Sequence, residues 1–307
     1  MAPPPVVPSS LELFHPVVAR WFAERYGEPT AVQAAAWPEI AAGRHVLATA
    51  PTGSGKTLAA FLWALDRLLS GAWEGGLPRV LYVSPLRALN NDVERNLLSP
   101  LAELETAFAA AGVSCQSVRV ATRSGDTPGP ERQRMLRRPP EVLITTPESL
   151  NILLTSRGGR SLLGGLATVI LDEIHAVAGS KRGTHLITAI ERLVPLAGEF
   201  QRLALSATVR PLARVARFVG GRILEGVEGG EGRYRPREVA IVEGTTVKSY
   251  DLEVATALPA SAPVGAEVAP GEPPRNAWDA LAAELAARIR GNRSTLVFAN
   301  SRRTTEK

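Results

Sequence analysis

The 307-residue sequence predicts an α/β fold, a mostly parallel sheet with helices on both faces, on three observations. Apolar runs of strand length alternate with helix-periodic segments from about residue 45 to residue 218. A glycine-rich phosphate-loop pattern, APTGSGKT at 50–57, joins the first such run to the first such helix. SPLRALNN, TTPESL, DEIH and SAT each fall where a candidate strand ends, the edge at which open α/β sheets hold their ligands.

Taken in order, residues 11–43 read as helical, with LELFHPVVARWFAERYG carrying an amphipathic stripe. Candidate strands cover 45–50, 80–84, 117–121, 142–146, 168–172 and 202–206. Helical patterns lie between and after them, near 56–69, 87–111, 131–137, 148–155, 183–194 and 210–218. REVAIVEGTTVKSYDLEVATAL (237–258) reads as two strands, a hairpin or an extended connector. The Pro/Gly/Ala-rich stretch 259–275 reads as a flexible linker. WDALAAELAARIR then suggests a helix and STLVFAN a buried strand, the opening of a further α/β unit. The expected divisions are a helical segment over 1–44, a first domain over 45–225, a connector and linker over 226–275, and an incomplete second domain over 276–307.

Composition narrows the classes. A hydrophobic content of 45% fits an ordinary α/β protein. One cysteine, Cys115, leaves no internal disulfide and no Cys-rich zinc site, and four scattered histidines disfavour a His-based metal site. No apolar stretch approaches the roughly 18 residues of a membrane span. The N-terminus has no basic segment leading into an apolar core, so a soluble, cytoplasmic protein is expected. The net charge is +5, and with lysine only at 56, 181, 248 and 307 the positive charge is almost wholly arginine. Arginine suits bidentate phosphate contacts, but it also follows the coding bias behind the Ala, Gly and Pro content. Net charge alone does not establish a nucleic-acid partner.

The phosphate loop carries Ala50 where the pattern has its leading glycine, then Pro51, Thr52, Gly53, Ser54 and Gly55. Gly53 and Gly55 let backbone N–H groups turn inward around phosphate oxygens, at the positive end of the following helix. Lys56 reaches the β- and γ-phosphates of a nucleoside triphosphate, and the Thr57 hydroxyl suits Mg²⁺. Lys56 is expected to be exposed on the loop. Asp172 and Glu173 supply one carboxylate for the metal and one to polarise water.

The order of Gln33, APTGSGKT, SPLRALNND, TTPESL, DEIH, SAT and LVFANSRR resembles that of the superfamily 2 helicases of the DEAD/DEAH-like kind. More narrowly, DEIHAVAGSKRGTHL and RSGDTPGPERQRMLRRPPEVLITTPESL look like the Lhr (large helicase-related) group. The resemblance implies a RecA-like phosphate-loop domain followed by the start of a second RecA-like domain, with ATP and Mg²⁺ as cofactors. PTAVQ is similar to the Q-motif, which makes Gln33 the adenine reader, with Phe14 or Tyr26 as stacking partner; the plainer alternatives are a Gln33 that caps or decorates a surface helix and aromatics that belong to the core. Asp172 would hold Mg²⁺ and Glu173 would act as general base. His175 would bridge to Ser206-Ala207-Thr208, coupling hydrolysis to domain motion; the plainer alternative is a part-buried histidine on a backbone carbonyl.

By the same resemblance, Pro85, Leu86 and Arg87, the turn Ser124-Gly125-Asp126, and Thr145, Thr146, Pro147 and Glu148 contact a nucleic-acid backbone. Arginines 119, 123, 132, 134, 137 and 138 stand against Asp126 and Glu131, either as a phosphate track or as a solvated face. The implied substrates are single-stranded DNA or RNA, or DNA–RNA hybrids. Arginine fingers of the later motifs are not in this chain, so little hydrolysis is expected from it alone. The competing readings are a nucleoprotein-remodelling ATPase and an inactive ATP-binding module; a small-molecule kinase has no need of SAT, TTPESL or a Q-like segment.

Overall fold

In the computed structural model, residues 10–85, 87–228, 231–244, 251–254 and 277–300 are described. The apolar runs become strands β1 (His45–Thr49), β2 (Val80–Val83), β3 (Val120–Arg123), β4 (Val142–Thr145), β5 (Thr168–Leu171) and β6 (Gln201–Ser206). Two antiparallel strands follow, β7 (Arg222–Glu228) and β8 (Glu231–Pro236), and then β9 (Val239–Glu243). The main sheet has seven strands in the order β3-β4-β2-β5-β6-β1-β9, every neighbouring pair parallel.

Alternation along each strand divides the core into two layers. Val46, Ala48, Tyr82, Ile144 and Leu205 face helices α1 (Pro16–Tyr26), α2 (Ala31–Ala41), α3 (Lys56–Leu69) and α4 (Arg87–Ala110). Leu47, Leu81, Val83, Leu143 and Leu171 face the other layer. That layer holds α5 (Gly129–Arg137), α6 (Pro147–Thr155), α7 (Arg157–Leu162), α8 (Lys181–Ala197) and α9 (Leu212–Gly220). The strands are apolar on both faces because both faces are covered. On the first face the Trp37 indole, fully buried, donates to the Ala59 carbonyl at 3.0 Å and pins α2 to α3. A ring cluster of Phe14, Phe22, Trp37 and Trp63 closes this side.

Three expectations change. The boundary at residue 225 falls inside β7, and β9 pairs with β1 over five residues, so Val239–Glu243 completes the sheet rather than a connector. Of the two strands expected over 237–258, β9 is one; residues 251–254 form no strand, and the rest of the second run lies partly outside the described residues. The third strand begins at Val120 rather than 117, because β3 is an edge strand paired only with β4, over Val120–Arg123.

Residues 1–247 and 248–307 form two compact units. The second contains α10 (Ala277–Gly291), whose Arg288 pairs with Glu284 and with Glu253. STLVFAN is neither a strand nor buried over its described length: Leu296 is 85% and Phe298 89% exposed. A lone apolar run without neighbouring strands has nothing to pair with. The linker 259–275 lies outside the described residues.

Candidate nucleotide and nucleic-acid sites

Seven parallel strands bring all their carboxyl ends to one edge of the sheet. Strand order sorts the motifs along it. β5, β6 and β1 present Asp172-Glu173, Ser206-Ala207-Thr208 and the phosphate loop, while β3, β4 and β2 present Ser124-Gly125-Asp126, Thr145-Thr146 and Ser84-Pro85.

The phosphate loop turns on Gly53 at φ 80° and Gly55 at φ 85°, both in the left-handed region. Gly55 is required twice, because a Cβ there would meet Gln33 Nε2 at 2.6 Å. Thr30 and Gln33 form a capping box on α2, the Thr30 hydroxyl accepting from the Gln33 amide and Gln33 Oε1 accepting from the Thr30 amide at 2.9 Å. The same two side chains clasp the loop: the Thr30 hydroxyl donates to the Ser54 carbonyl at 2.9 Å and Gln33 Nε2 to the Gly55 carbonyl at 3.3 Å. Gln33 is 3% exposed, so its first employment is structural. Phe14 is likewise core, packed edge-on against Trp37, whereas Tyr26 is 44% exposed and lines the cavity beside the loop.

Lys56 is not exposed. It is 8% accessible, and its ammonium donates to the carbonyls of Ala50 at 2.5 Å and Pro51 at 2.8 Å. The sequence reading missed this because an ammonium in the first turn of α3 finds the loop's own carbonyls within reach. A cavity of about 480 Å³ opens at the loop, its lining including Thr52, Gly53, Gly55, Lys56, Thr57, Asp172 and Glu173 together with Arg25 and Tyr26.

Asp172 is 5% exposed; burial raises its pKa above the usual carboxylate range, against hydrogen bonds from Tyr82 and from the Glu173 amide. The Tyr82 hydroxyl donates to Oδ2 and the Glu173 N–H to Oδ1 at 2.8 Å. Tyr82 itself, fully buried, is pushed far above an ordinary phenol by desolvation and the Asp172 charge. Glu173 has φ 50°, the sole positive φ of a non-glycine among the described residues. Such backbone strain clusters where geometry serves chemistry. Thr57 and Asp172 both line the cavity, and a hydroxyl and a carboxylate are the hard oxygen donors Mg²⁺ prefers. The Ser54 hydroxyl, buried without a partner among the described residues, marks a loop with hydrogen-bonding capacity to spare. The donor set fits a metal–triphosphate.

His175 reaches SAT through the backbone: Nδ1 lies 3.3 Å from the Ala207 nitrogen and 3.2 Å from Glu173 Oε2. Ser206 is fully buried with its hydroxyl unpartnered among the described residues, and Thr208 is exposed.

At the other end of the edge the motif residues are mostly committed to the fold. The Thr145 hydroxyl, fully buried, donates to the Arg123 carbonyl at 2.7 Å, so it is not presented to a ligand. Thr146 caps α6 by accepting from the Ser149 amide, with Pro147 buried in its first turn. Glu148 is exposed and bidentate with Arg182, at 2.6 and 3.1 Å; that pairing holds its carboxyl below the ordinary range. Gly125 and Asp126 are exposed, and Ser124 is held by its amide to the Thr127 hydroxyl at 2.8 Å. Pro85 is buried; Leu86 and the Arg87 side chain lie outside the described residues. The arginine cluster divides as well. Arg119 pairs with Glu141, Arg123 is buried, and Arg132 donates to the Thr127 and Gly125 carbonyls, leaving Arg134, Arg137 and Arg138 exposed.

Sequence reasoning missed Thr30 and Tyr82. The spacing T-x-x-Q of a capping box signals Thr30, and a phenol in the otherwise aliphatic run VLYV signals Tyr82.

The DEAD/DEAH box helicase family matches residues 30–215. Over 296 residues the chain is 43% identical to the Lhr helicase/probable uracil glycosylase of Mycolicibacterium smegmatis, covering 96% of this chain and 18% of that protein. It is 42% identical to the ATP-dependent helicase Lhr-Core of Methanothermobacter thermautotrophicus, over 96% of this chain and 32% of that one. The structure of Mycobacterium smegmatis helicase Lhr bound to ssDNA and AMP-PNP superposes with a TM-score of 0.80 at 42% identity, over 97% of this chain and 35% of that chain. The chain thus spans about a fifth to a third of the length of these relatives. No helix among the described residues is long and apolar enough to cross a membrane. With a RecA-like sheet, a phosphate loop on its first strand and the DEIH acids beside it, the chain belongs to the DEAD/DEAH box helicase family and groups there with the Lhr helicases.

Proposed function

We propose that this chain is the nucleotide-binding part of an ATP-driven motor that moves along single-stranded DNA or RNA, or DNA–RNA hybrids. The observation that carries the reading is the convergence of Lys56, Thr57, Asp172 and Glu173 on one cavity while His175, of the same DEIH segment, touches the SAT turn. ATP enters with its phosphates on residues 50–57 and its base toward Tyr26. Gln33 reads adenine with the amide capacity left over from its two internal bonds. Thr57 and Asp172 would hold Mg²⁺, which would supply neutralisation of phosphate charge. Glu173 takes a proton from the attacking water.

The strand lies along the β3-β4-β2 end of the edge, met by Ser124–Asp126, by the start of α6 at Thr146–Glu148, and by Pro85, Leu86 and Arg87. Such contacts fix position and register without reading sequence. The cations lining the cavity are already engaged, Lys56 with loop carbonyls and Arg25 with Glu103 at 3.1 Å, so the chain alone binds ATP better than it hydrolyses it.

The test is linkage. A fluorescently labelled oligothymidine is titrated into the chain with and without Mg²⁺-AMP-PNP, and the nucleotide is titrated with and without the oligonucleotide. The two affinities should change by the same factor. A protein that binds neither, or binds each with indifference to the other, is not this motor.

A further inference from the structure

Strand β2 carries one hydroxyl-bearing ring, and it is aimed at the acid of the nucleotide site. Tyr82 is fully buried, its ring stacked on Phe61 at 5.1 Å and its hydroxyl donated to Asp172 Oδ2. The parallel register sets this up: Tyr82 pairs with Ile170, two residues before Asp172 on the neighbouring strand. Ser84, also fully buried and two positions further on the same side of the strand, hydrogen-bonds to the Tyr82 side chain. Ser84, Tyr82 and Asp172 therefore form one buried polar row from the end of β2 to the DEIH carboxylate. Packing alone does not need the phenol. Phenylalanine would stack on Phe61 as well, and a buried hydroxyl is tolerated only when it is bonded.

We propose that Tyr82 is a positioning residue. With the Glu173 amide on Oδ1 and the tyrosine on Oδ2, both oxygens of a carboxylate that lines the nucleotide cavity are fixed, and each keeps acceptor capacity for a metal–nucleotide. Outer partners of a ligating carboxylate typically contribute 10–100-fold in metal affinity. The row also gives the Ser84-Pro85 turn, on the nucleic-acid end of the edge, a bonded route to the metal-holding group. This proposal rests on the function given above for the metal and for the strand.

The experiment uses the whole 307-residue chain. Tyr82→Phe, Asp172→Asn, the double variant and Ser84→Ala are compared by thermal melting and by binding of a fluorescent ATP analogue, in EDTA and across a Mg²⁺ titration. Tyr82→Phe should melt within a few degrees of the parent and bind nucleotide in EDTA equally well. Its half-saturating Mg²⁺ should rise about tenfold or more. That rise should vanish in the Asp172→Asn background, which a packing defect would not do. Oligothymidine should shift the Mg²⁺ titration of the parent and leave that of Ser84→Ala unmoved. An unchanged Mg²⁺ titration in Tyr82→Phe overturns the positioning role, and an equal oligothymidine shift in Ser84→Ala overturns the route through β2. A parent chain that ignores nucleotide in every buffer overturns the proposed function instead.

Discussion

The Nδ1 atom of His175 stands 3.3 Å from the backbone nitrogen of Ala207, and the Glu173 carboxylate approaches the same atom at 3.2 Å. One nitrogen cannot serve both. Without a proton it accepts from the Ala207 amide; with one it donates to Glu173. The choice of tautomer or charge on His175 therefore decides whether the DEIH segment is tied to the SAT turn or to its own general base. Any proton that Glu173 gains from water changes that balance.

Glu173→Gln keeps the shape of the side chain and removes the base. Single-turnover hydrolysis should fall about 10²–10⁴-fold, the usual cost of losing a general base, while nucleotide affinity holds. Turnover within about tenfold of the parent would take the base role away from Glu173.

Lys56→Ala should abolish productive Mg²⁺-ATP binding, and the structure adds a second cost. The carbonyls of Ala50 and Pro51 lose their ammonium donor, which for buried acceptors is worth about 1–3 kcal/mol. A melt lowered by several degrees together with lost nucleotide binding is expected; unchanged ATP affinity would remove Lys56 from the site.

Stability should depend on pH through His45. Burial, with Arg202 and Arg237 nearby, lowers its pKa from 6.5 to about 4, and its Nδ1 accepts from the Arg202 amide at 3.1 Å. The folded value lies below the unfolded one, so its contribution is present above 6.5 and is lost as pH falls toward 4. Melting temperature should decline across this window, with Glu199, held low by its Arg237 hydrogen bonds, adding to the loss at the acid end. His45→Asn keeps an acceptor for Arg202 and should flatten the upper part of the curve. An identical decline in the variant would assign it to other groups.

The exposed arginines of α5 are separated from the solvated-face reading by salt. Reversing Arg134 and Arg137 to Glu should weaken oligothymidine binding and flatten its dependence on log salt by somewhat more than one unit, at about 0.7 per phosphate on a single strand. Arg132 is excluded because its guanidinium holds the Ser124–Thr127 loop. An unchanged slope would return the cluster to solvent.

Strands such as Val142–Thr145 were legible because an unbroken aliphatic run bounded by turns has one stable home, a sheet covered on both faces. The β7–β8 pair was not, since RILEGVE and EGRYRP alternate charge with scattered apolar groups. β9 was legible as a strand but not its place: its partner is β1, almost two hundred residues earlier, and no local pattern encodes a parallel edge pairing. At the site, the phosphate loop and DEIH fixed the chemistry by residue type. Composition could not tell that Lys56 bonds its own loop, that the Thr145 hydroxyl is spent on Arg123, or that the Gln33 amide is spent on the Gly55 carbonyl, because each depends on where a second stretch of backbone passes.

The placement of β9 has a mechanical meaning. It leaves the sheet at Gly244, whose amide donates to Thr49 at 2.8 Å and whose missing side chain leaves room for Val32 and Ala50. A pull on the chain beyond Gly244 runs along β9 and loads its rungs to β1 together, in shear, rather than peeling them one at a time. Thr49 and Ala50 open the phosphate loop, so tension at this exit arrives first at the residues that cradle the nucleotide.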